Sequence, residues 1–256
     1  MKIANAILSV NDNAGYQRFW PLVAELWKAM GIQPWLFWTT TSREPFPFPS
    51  EHGVIIQLSC LDFENGDYQY HSSILARIFG ATAVPGMNIL TDIDLLPISK
   101  AVFTADFEPR RLSILNVEPA YHAQFSKWNI NHYVGHDSVF QELLLTRAQH
   151  WKKLEWDASF VEEVHYWTTG DRLPKTLPAN QIYTYSDEYF LTRKLAEYWE
   201  PVLIPARSRL SVSVGELPTL NIEGRTEAHL YLSNGSLSEE SFKHVVRIAE
   251  DIKKAL

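Results

Sequence analysis

A chain of 256 residues, 46% hydrophobic and 13% aromatic, is long and apolar enough for one sizeable core. Its net charge of −7 excludes a general nucleic-acid binder, which carries a basic face. The single cysteine, Cys60, excludes intramolecular disulfides and multi-cysteine zinc sites, and it suits a reducing, cytoplasmic compartment.

The first ten residues turn polar too soon for a signal peptide, and no window reaches the length of a membrane span. No linker, repeat or low-complexity run divides the chain, so residues 1–256 are expected to form a single domain. Ile3 to Val10 reads as a first strand, ending in Ser9-Val10-Asn11-Asp12-Asn13. Phe19, Val23, Leu26, Trp27 and Met30 share one face of a helix from Tyr16 to Met30, capped by Gly31. Pro21 either kinks that helix or marks where its regular part begins. A second strand runs from Pro34 to Thr40, a proline-rich loop from Glu44 to Ser50, and a third strand from Gly53 to Cys60. Asn65-Gly66-Asp67 marks a turn. The next helix, Tyr70 to Phe79, buries Ile74, Leu75 and Ile78 and carries Tyr70, Ser73 and Arg77 on another stripe; Gly80 stops it.

Asn88 to Pro97 carries the chemistry. Ile89 and Leu90 begin a buried strand, which Asp92 and Asp94 interrupt two residues apart. In extended chain such residues share a face about 7 Å apart. Two carboxylates ringed by Leu90, Ile93, Leu95 and Leu96 repel each other and resist burial. A divalent cation answers both difficulties and leaves positions for substrate phosphates. The alternative is a solvated strand end closed by a turn at Pro97.

The second half is less regular. Leu112 to Leu115 predicts a strand, and Asp137 to Leu154 a helix with Val139, Phe140, Leu143, Leu144 and Trp151 inward. Ser186 opens another helix with Asp187 and Glu188 in its first turn. Arg209 to Val214 and Ala228 to Ser233 alternate as strands, His229 and Tyr231 opposing Ala228, Leu230 and Leu232. A last amphipathic helix uses Phe242, Val245, Ala249 and Ile252, with Ser236 and Glu239 as a capping box. Strands alternating with helices predict an α/β sheet whose ligands gather at the carboxyl ends of its strands.

Ser9-Val10-Asn11-Asp12 with Tyr16, Ser73 and Arg77 before the acidic motif, Asp92-Ile93-Asp94, and Ser186-Asp187-Glu188 together resemble nucleotide-sugar glycosyltransferases of the GT-A fold. In length and motif order the chain looks most like the small enzymes encoded by large algal viruses. The likeness spans residues 1–105 and thins from Asp106 onward, where such enzymes vary with their acceptor. It implies a GT-A-like (Rossmann-like) single domain with a mixed, mostly parallel central sheet flanked by helices. Residues 1–105 would form the nucleotide-sugar and metal half, and residues 106–256 the acceptor half.

The resemblance implies Mn²⁺- or Mg²⁺-dependent transfer of a hexose from a nucleoside diphosphate, UDP above all, to a glycan or other hydroxyl acceptor; it leans to retention, the alternative being inversion, which needs a carboxylate near the acceptor hydroxyl. Asp92 and Asp94 would hold the metal, joined by His229. Arg77 would add a cation on the diphosphate. Asn11 and Asp12 would bond uracil and ribose, Tyr16 would stack on the base, and Ser9 and Ser73 would line the donor. Asp187 or Glu188 would serve the acceptor, with Asp187 preferred, while the other suits the helix dipole. His132, His136 and Asp137 offer a polar stretch for the acceptor, and Trp128 or Trp167 a stacking surface for a sugar. Each of these has a plain structural alternative: a helix cap for Asn11 or Asp12, a core aromatic for Tyr16, a surface charge for Arg77, a hydrogen-bonded strand residue for His229. Two rival classes share the acidic pair. In haloacid-dehalogenase-like phosphatases Thr or Val belongs where Leu96 stands, and Gly170-Asp171 matches their later acidic element poorly. The other is a non-catalytic carbohydrate-binding protein on the same fold.

Overall fold

The computed structural model describes residues 1–59, 66–119, 128–129, 132–144, 202–205, 209–214, 223–232 and 236–256. The first strand, β1 (Asn5–Val10), pairs in parallel with β2 (Gln33–Thr40) on one side and β4 (Met87–Leu90) on the other. Beyond β2 lies β3 (Val54–Ser59), also parallel. On the other side β4 pairs antiparallel with β8 (His132–His136), and β8 antiparallel with β6 (Ser113–Pro119). The sheet closes with β7 (Trp128–Asn129), antiparallel to β6, and β9 (Val202–Pro205), parallel to it.

Alternation along β1 sends its side chains into two cores. Ala6, Leu8 and Val10 pack with Trp20, Val23, Ala24, Leu26 and Trp27 of α2 (Trp20–Ala29). Ile7 packs on the opposite face with Leu75, Ile78 and Phe79 of α3 (Gly66–Ala83) and with Phe140 and Leu143 of α5 (Asp137–Leu144). Each such fully buried Leu or Phe contributes roughly 1.5–3 kcal/mol. The last helix, α6 (Glu239–Ala255), lies against α2. A smaller sheet of β10 (Arg209–Ser213), β11 (Glu227–Tyr231) and β5 (Leu95–Pro97) takes the chain as it leaves β4. Among the described residues, no helix is long and apolar enough to cross a membrane.

Several local expectations change. The span from Tyr16 is two helices: a short α1 (Ala14–Gln17), capped by Asn13 Oδ1 accepting from Gly15 N and Tyr16 N, and then α2. Pro21 sits at the start of α2, where a missing N–H costs nothing. Gly31 does follow the helix, at φ 80°. Gly66 and Asp67 belong to α3, which also runs straight through Gly80. A Cβ at Gly80 would stand 2.5 Å from Cε2 of Phe37, so this glycine admits β2 to the helix rather than ending it. The turn after α3 comes at Gly86, φ 102°. There the buried Asn88 amide donates to the carbonyls of Ala81 (2.9 Å) and Val84 (2.7 Å), satisfying the end of α3.

Pro97 closes no turn; it lies in β5, opposite Glu227. The N-cap of α6 is Ser238, whose hydroxyl accepts from Ser241 N, rather than Ser236. The helix expected to reach Leu154 is described as far as Leu144. The helix from Ser186, with Asp187 and Glu188, and Trp167 lie outside the described residues.

Candidate functional site

The carboxyl ends of β1 and β4 lie side by side at the middle of the sheet, and Thr91 N donates the last sheet hydrogen bond to Ile7 O at 3.1 Å. The chain then turns instead of continuing extended: Leu95 N donates to Asp92 O at 3.3 Å, and β5 departs into the small sheet. The two carboxylates therefore do not share a strand face, contrary to the extended-chain expectation. The turn aims them at different partners, which relieves the repulsion that a common face would impose.

Asp92 keeps about a third of its side chain exposed and pairs with Arg77, which reaches it from α3 with its own side chain 11% exposed. Asp94 is 6% exposed, and its Oδ2 stands 3.4 Å from Nε2 of His229. His229 arrives on β11, where the alternation holds: Ala228 and Leu230 are buried, and His229 and Tyr231 face outward with ring centroids 5.8 Å apart. Leu230 N donates to Asp94 O at 2.9 Å, locking β11 to the turn.

Tyr16, at the end of α1, is partly buried against the α2-side core. Burial, and then the charge of Asp94, push its phenol up to about 12 against an opposing backbone hydrogen bond at Leu232. Tyr16 is thus a neutral phenol beside Asp94, with Phe19 tilted against it at 6.4 Å.

Asn11 and Asp12 serve the loop in which they sit. Asn11 Oδ1 accepts from Asn13 N at 3.0 Å, and Gln17 Nε2 donates to its carbonyl at 3.0 Å. Asp12 Oδ1 accepts from the Trp38 indole at 2.9 Å and Oδ2 from Thr41 N at 3.3 Å. Ser9 is half-buried on the α3 side of β1, and Ser73 is buried on α3 one turn before Arg77. The structure thus draws Tyr16, Arg77, Asp92, Asp94 and His229 around one turn.

The expected acceptor stretch does not hold together. His132 is buried on β8 against Glu227 instead of lying in a polar loop. His136 and Asp137 are 3.1 Å apart beside Met87, at the far end of β4 from Asp92. Asp137 is engaged there by Gly86 N and Gln141 Nε2. The reading of the sequence missed Trp38 and Glu227. An apolar strand tryptophan carries no sign of its hydrogen bond, and Glu227 stands just before the alternating run.

Carboxylate oxygens from Asp92 and Asp94 with an imidazole nitrogen from His229 form a donor set suited to a divalent cation. Asp94 and His229 already face each other, and Asp92 would share its carboxylate with Arg77. Among the described residues no three such side chains converge as they stand. Ligands from outside these side chains would have to complete the set.

No protein-family model matches the sequence, and no curated protein matches it. The fold is similar to that of the galactosyltransferase LgtC in complex with donor and acceptor sugar analogs, with TM-score 0.52 and 9% identity over 98% of this chain and 96% of that one. An active-site mutant of LgtC gives TM-score 0.52 and 10% identity over 96% of this chain and 95% of that one. The likeness is one of fold: a GT-A-like domain with a mixed, mostly parallel central sheet flanked by helices.

Proposed function

We propose that this chain is a glycosyltransferase moving a hexose from a nucleoside diphosphate sugar, UDP above all, to a hydroxyl of a glycan or other acceptor, with Mn²⁺ or Mg²⁺ as cofactor. The observation that carries the reading is the turn after β4. Arg77 and His229 are brought to Asp92 and Asp94 from α3 and β11, at the carboxyl ends of parallel strands. The likeness of fold to a galactosyltransferase over nearly the whole chain supports it.

Asp92, Asp94 and His229 would hold the cation, which supplies positive charge against the charge that grows on the leaving diphosphate. Arg77 adds a second, permanent positive charge in a planar fork that phosphate oxygens can accept from. The neutral Tyr16 phenol offers a donor beside Asp94 without adding negative charge to a site that must receive a diphosphate. Asp187 and Glu188 belong to the acceptor side in this reading, and residues 106–256 form the acceptor half. A retaining course suits it, because the leaving phosphate then takes the acceptor proton and no dedicated base is required. The single cysteine and acidic balance support a cytoplasmic setting, and length and motif order support a kinship with the small enzymes of large algal viruses.

The test is a panel of nucleotide sugars screened by thermal shift with and without Mn²⁺, followed by release of free nucleotide on adding glycan acceptors. A ligand at a hundred times its dissociation constant stabilises the fold by about 2.7 kcal/mol. No Mn²⁺-dependent shift with any nucleotide sugar would refute the reading. Binding without nucleotide release would point to a non-catalytic binder, and phosphate release from simple esters to a phosphatase.

A further inference from the structure

Away from the residues already assigned, the most unusual pair among the described residues is His132 with Glu227. They are 1% and 0% exposed and in direct side-chain contact, though 95 residues apart in sequence. Their places in the two sheets give the contact its meaning. Tyr133 is in register with Leu90, so His132 stands one step further out on β8, at the level of Thr91, where the chain begins to turn. Glu227 is in register with Pro97, and His229, two residues on, with Leu95. Thr226 O accepts from Ile98 N at 2.9 Å and Ser99 N at 3.0 Å, which fixes the start of β11 to the end of β5. The edge of Phe103, on the short helix α4 (Lys100–Phe103), meets the His132 ring with centroids 5.4 Å apart, and Trp27 backs Phe103 at 5.0 Å.

We propose that His132 and Glu227 are positioning residues: their contact joins the large sheet to the small one beside the Asp92–Asp94 turn and so sets where Asp94 meets His229. A buried acid–imidazole pair is a poor source of stability, since apolar side chains of similar volume fold as well or better. His132 Nδ1 has no hydrogen-bond partner among the described residues, which adds to the burden of burial. What the pair offers that apolar packing does not is direction. An apolar contact tolerates sliding between sheets, whereas a hydrogen bond has a preferred length and angle. Because β5 and β11 are paired, a slide of β11 would move the His229 imidazole and the Asp94 carbonyl bond together.

The functional half of this inference rests on the metal-dependent transferase reading; the geometric half does not, and the experiment separates them. Two variants are compared with the parent chain: the double replacement His132→Phe with Glu227→Leu, and the isosteric Glu227→Gln. Melting temperature, amide hydrogen exchange and calorimetric binding of UDP with and without Mn²⁺ are measured. The double variant is expected to melt close to the parent while exchange across 91–97 and 228–230 quickens by roughly tenfold and β1 and β2 stay protected. Its Mn²⁺-dependent affinity for UDP is expected to fall roughly 10–100-fold, the range for lost support of a metal ligand. Glu227→Gln, which keeps a hydrogen-bonding side chain of the same shape, is expected to retain most of both. A folded double variant with parental exchange at the turn would overturn the proposal. So would a Glu227→Gln variant that loses as much as the double one, since charge rather than direction would then be decisive. If the parent chain itself binds no UDP with Mn²⁺, the UDP form of the transferase reading falls, and exchange at the turn alone decides the positioning role.

Discussion

Asp94 concentrates the chemistry of the site. Its carboxylate is almost wholly buried, faces an imidazole 3.4 Å away and raises the phenol of Tyr16. Asp94→Asn keeps the shape and removes the charge. We expect Mn²⁺-dependent nucleotide-sugar turnover to fall by roughly 10–100-fold or more, with little change in melting temperature. Full metal-dependent activity in Asp94→Asn would remove the turn from the site. Glu25 is a surface carboxylate of a different kind. Burial raises it, but hydrogen bonds from Lys253, Lys28 and His52 outweigh that and bring it down to about 2 from 4.5. A depressed carboxyl stabilises the fold above its unfolded pKa and loses that contribution as pH falls through the folded value. Stability should therefore drop as pH falls from 4.5 towards 2, and Glu25→Gln should flatten that drop. Urea unfolding across the window at low and high salt checks it; the effect should shrink in high salt because the group is partly exposed.

Among the elements, α3 sets the donor side in the proposed function. It delivers Arg77 to Asp92, and it can lie close enough to β2 because Gly80 has no Cβ. Alanine there would gain about 1 kcal/mol of helix propensity in isolation. In this packing its Cβ would meet the Phe37 ring at 2.5 Å, so either the ring must swing or helix and strand must part. We expect Gly80→Ala to destabilise by about 1–3 kcal/mol, read as a lower urea midpoint with an unchanged slope. A neutral or stabilising result would mean that Phe37 swings aside freely. The turn after β4 is the second element that matters. Its change of direction gives Asp92 and Asp94 separate partners, one on a helix and one on a strand of another sheet.

At the scale of the molecule, the site lies where the large and small sheets meet, so the first half of the chain supplies the turn and the second half supplies His229. The acceptor side is carried by Asp187 and Glu188 in the proposed function. Asp187→Ala and Glu188→Ala should part: one depresses sugar transfer far more than donor affinity, whereas a carboxylate that only serves the helix start should lower stability by up to about 1 kcal/mol and leave transfer alone. Donor affinity, transfer rate and melting temperature measured on both single variants decide. Equal small stability losses with normal transfer would take the pair out of the active site.

The sequence by itself determined the α/β class, most strand positions in the first half and the inward faces of α2, α5 and β11. Those properties follow from local periodicity: a face repeats every two or 3.6 residues whatever lies across from it. It also singled out Arg77, Asp92 and Asp94, because polar groups stood out at a strand end and on one stripe of a helix; Tyr16 and His229 came from the resemblance to glycosyltransferases. Only the tertiary structure decided what each of them touches. Gly80 reads as a stop in isolation and becomes a close approach once Phe37 lies against it. Asp92-Ile93-Asp94 reads as extended until β5 is drawn into a second sheet and the chain must turn. His132 reads as a polar loop residue because its partner, Glu227, is 95 positions away. Pairing across such distances is set by sheet order and packing, and short-range pattern carries no trace of it.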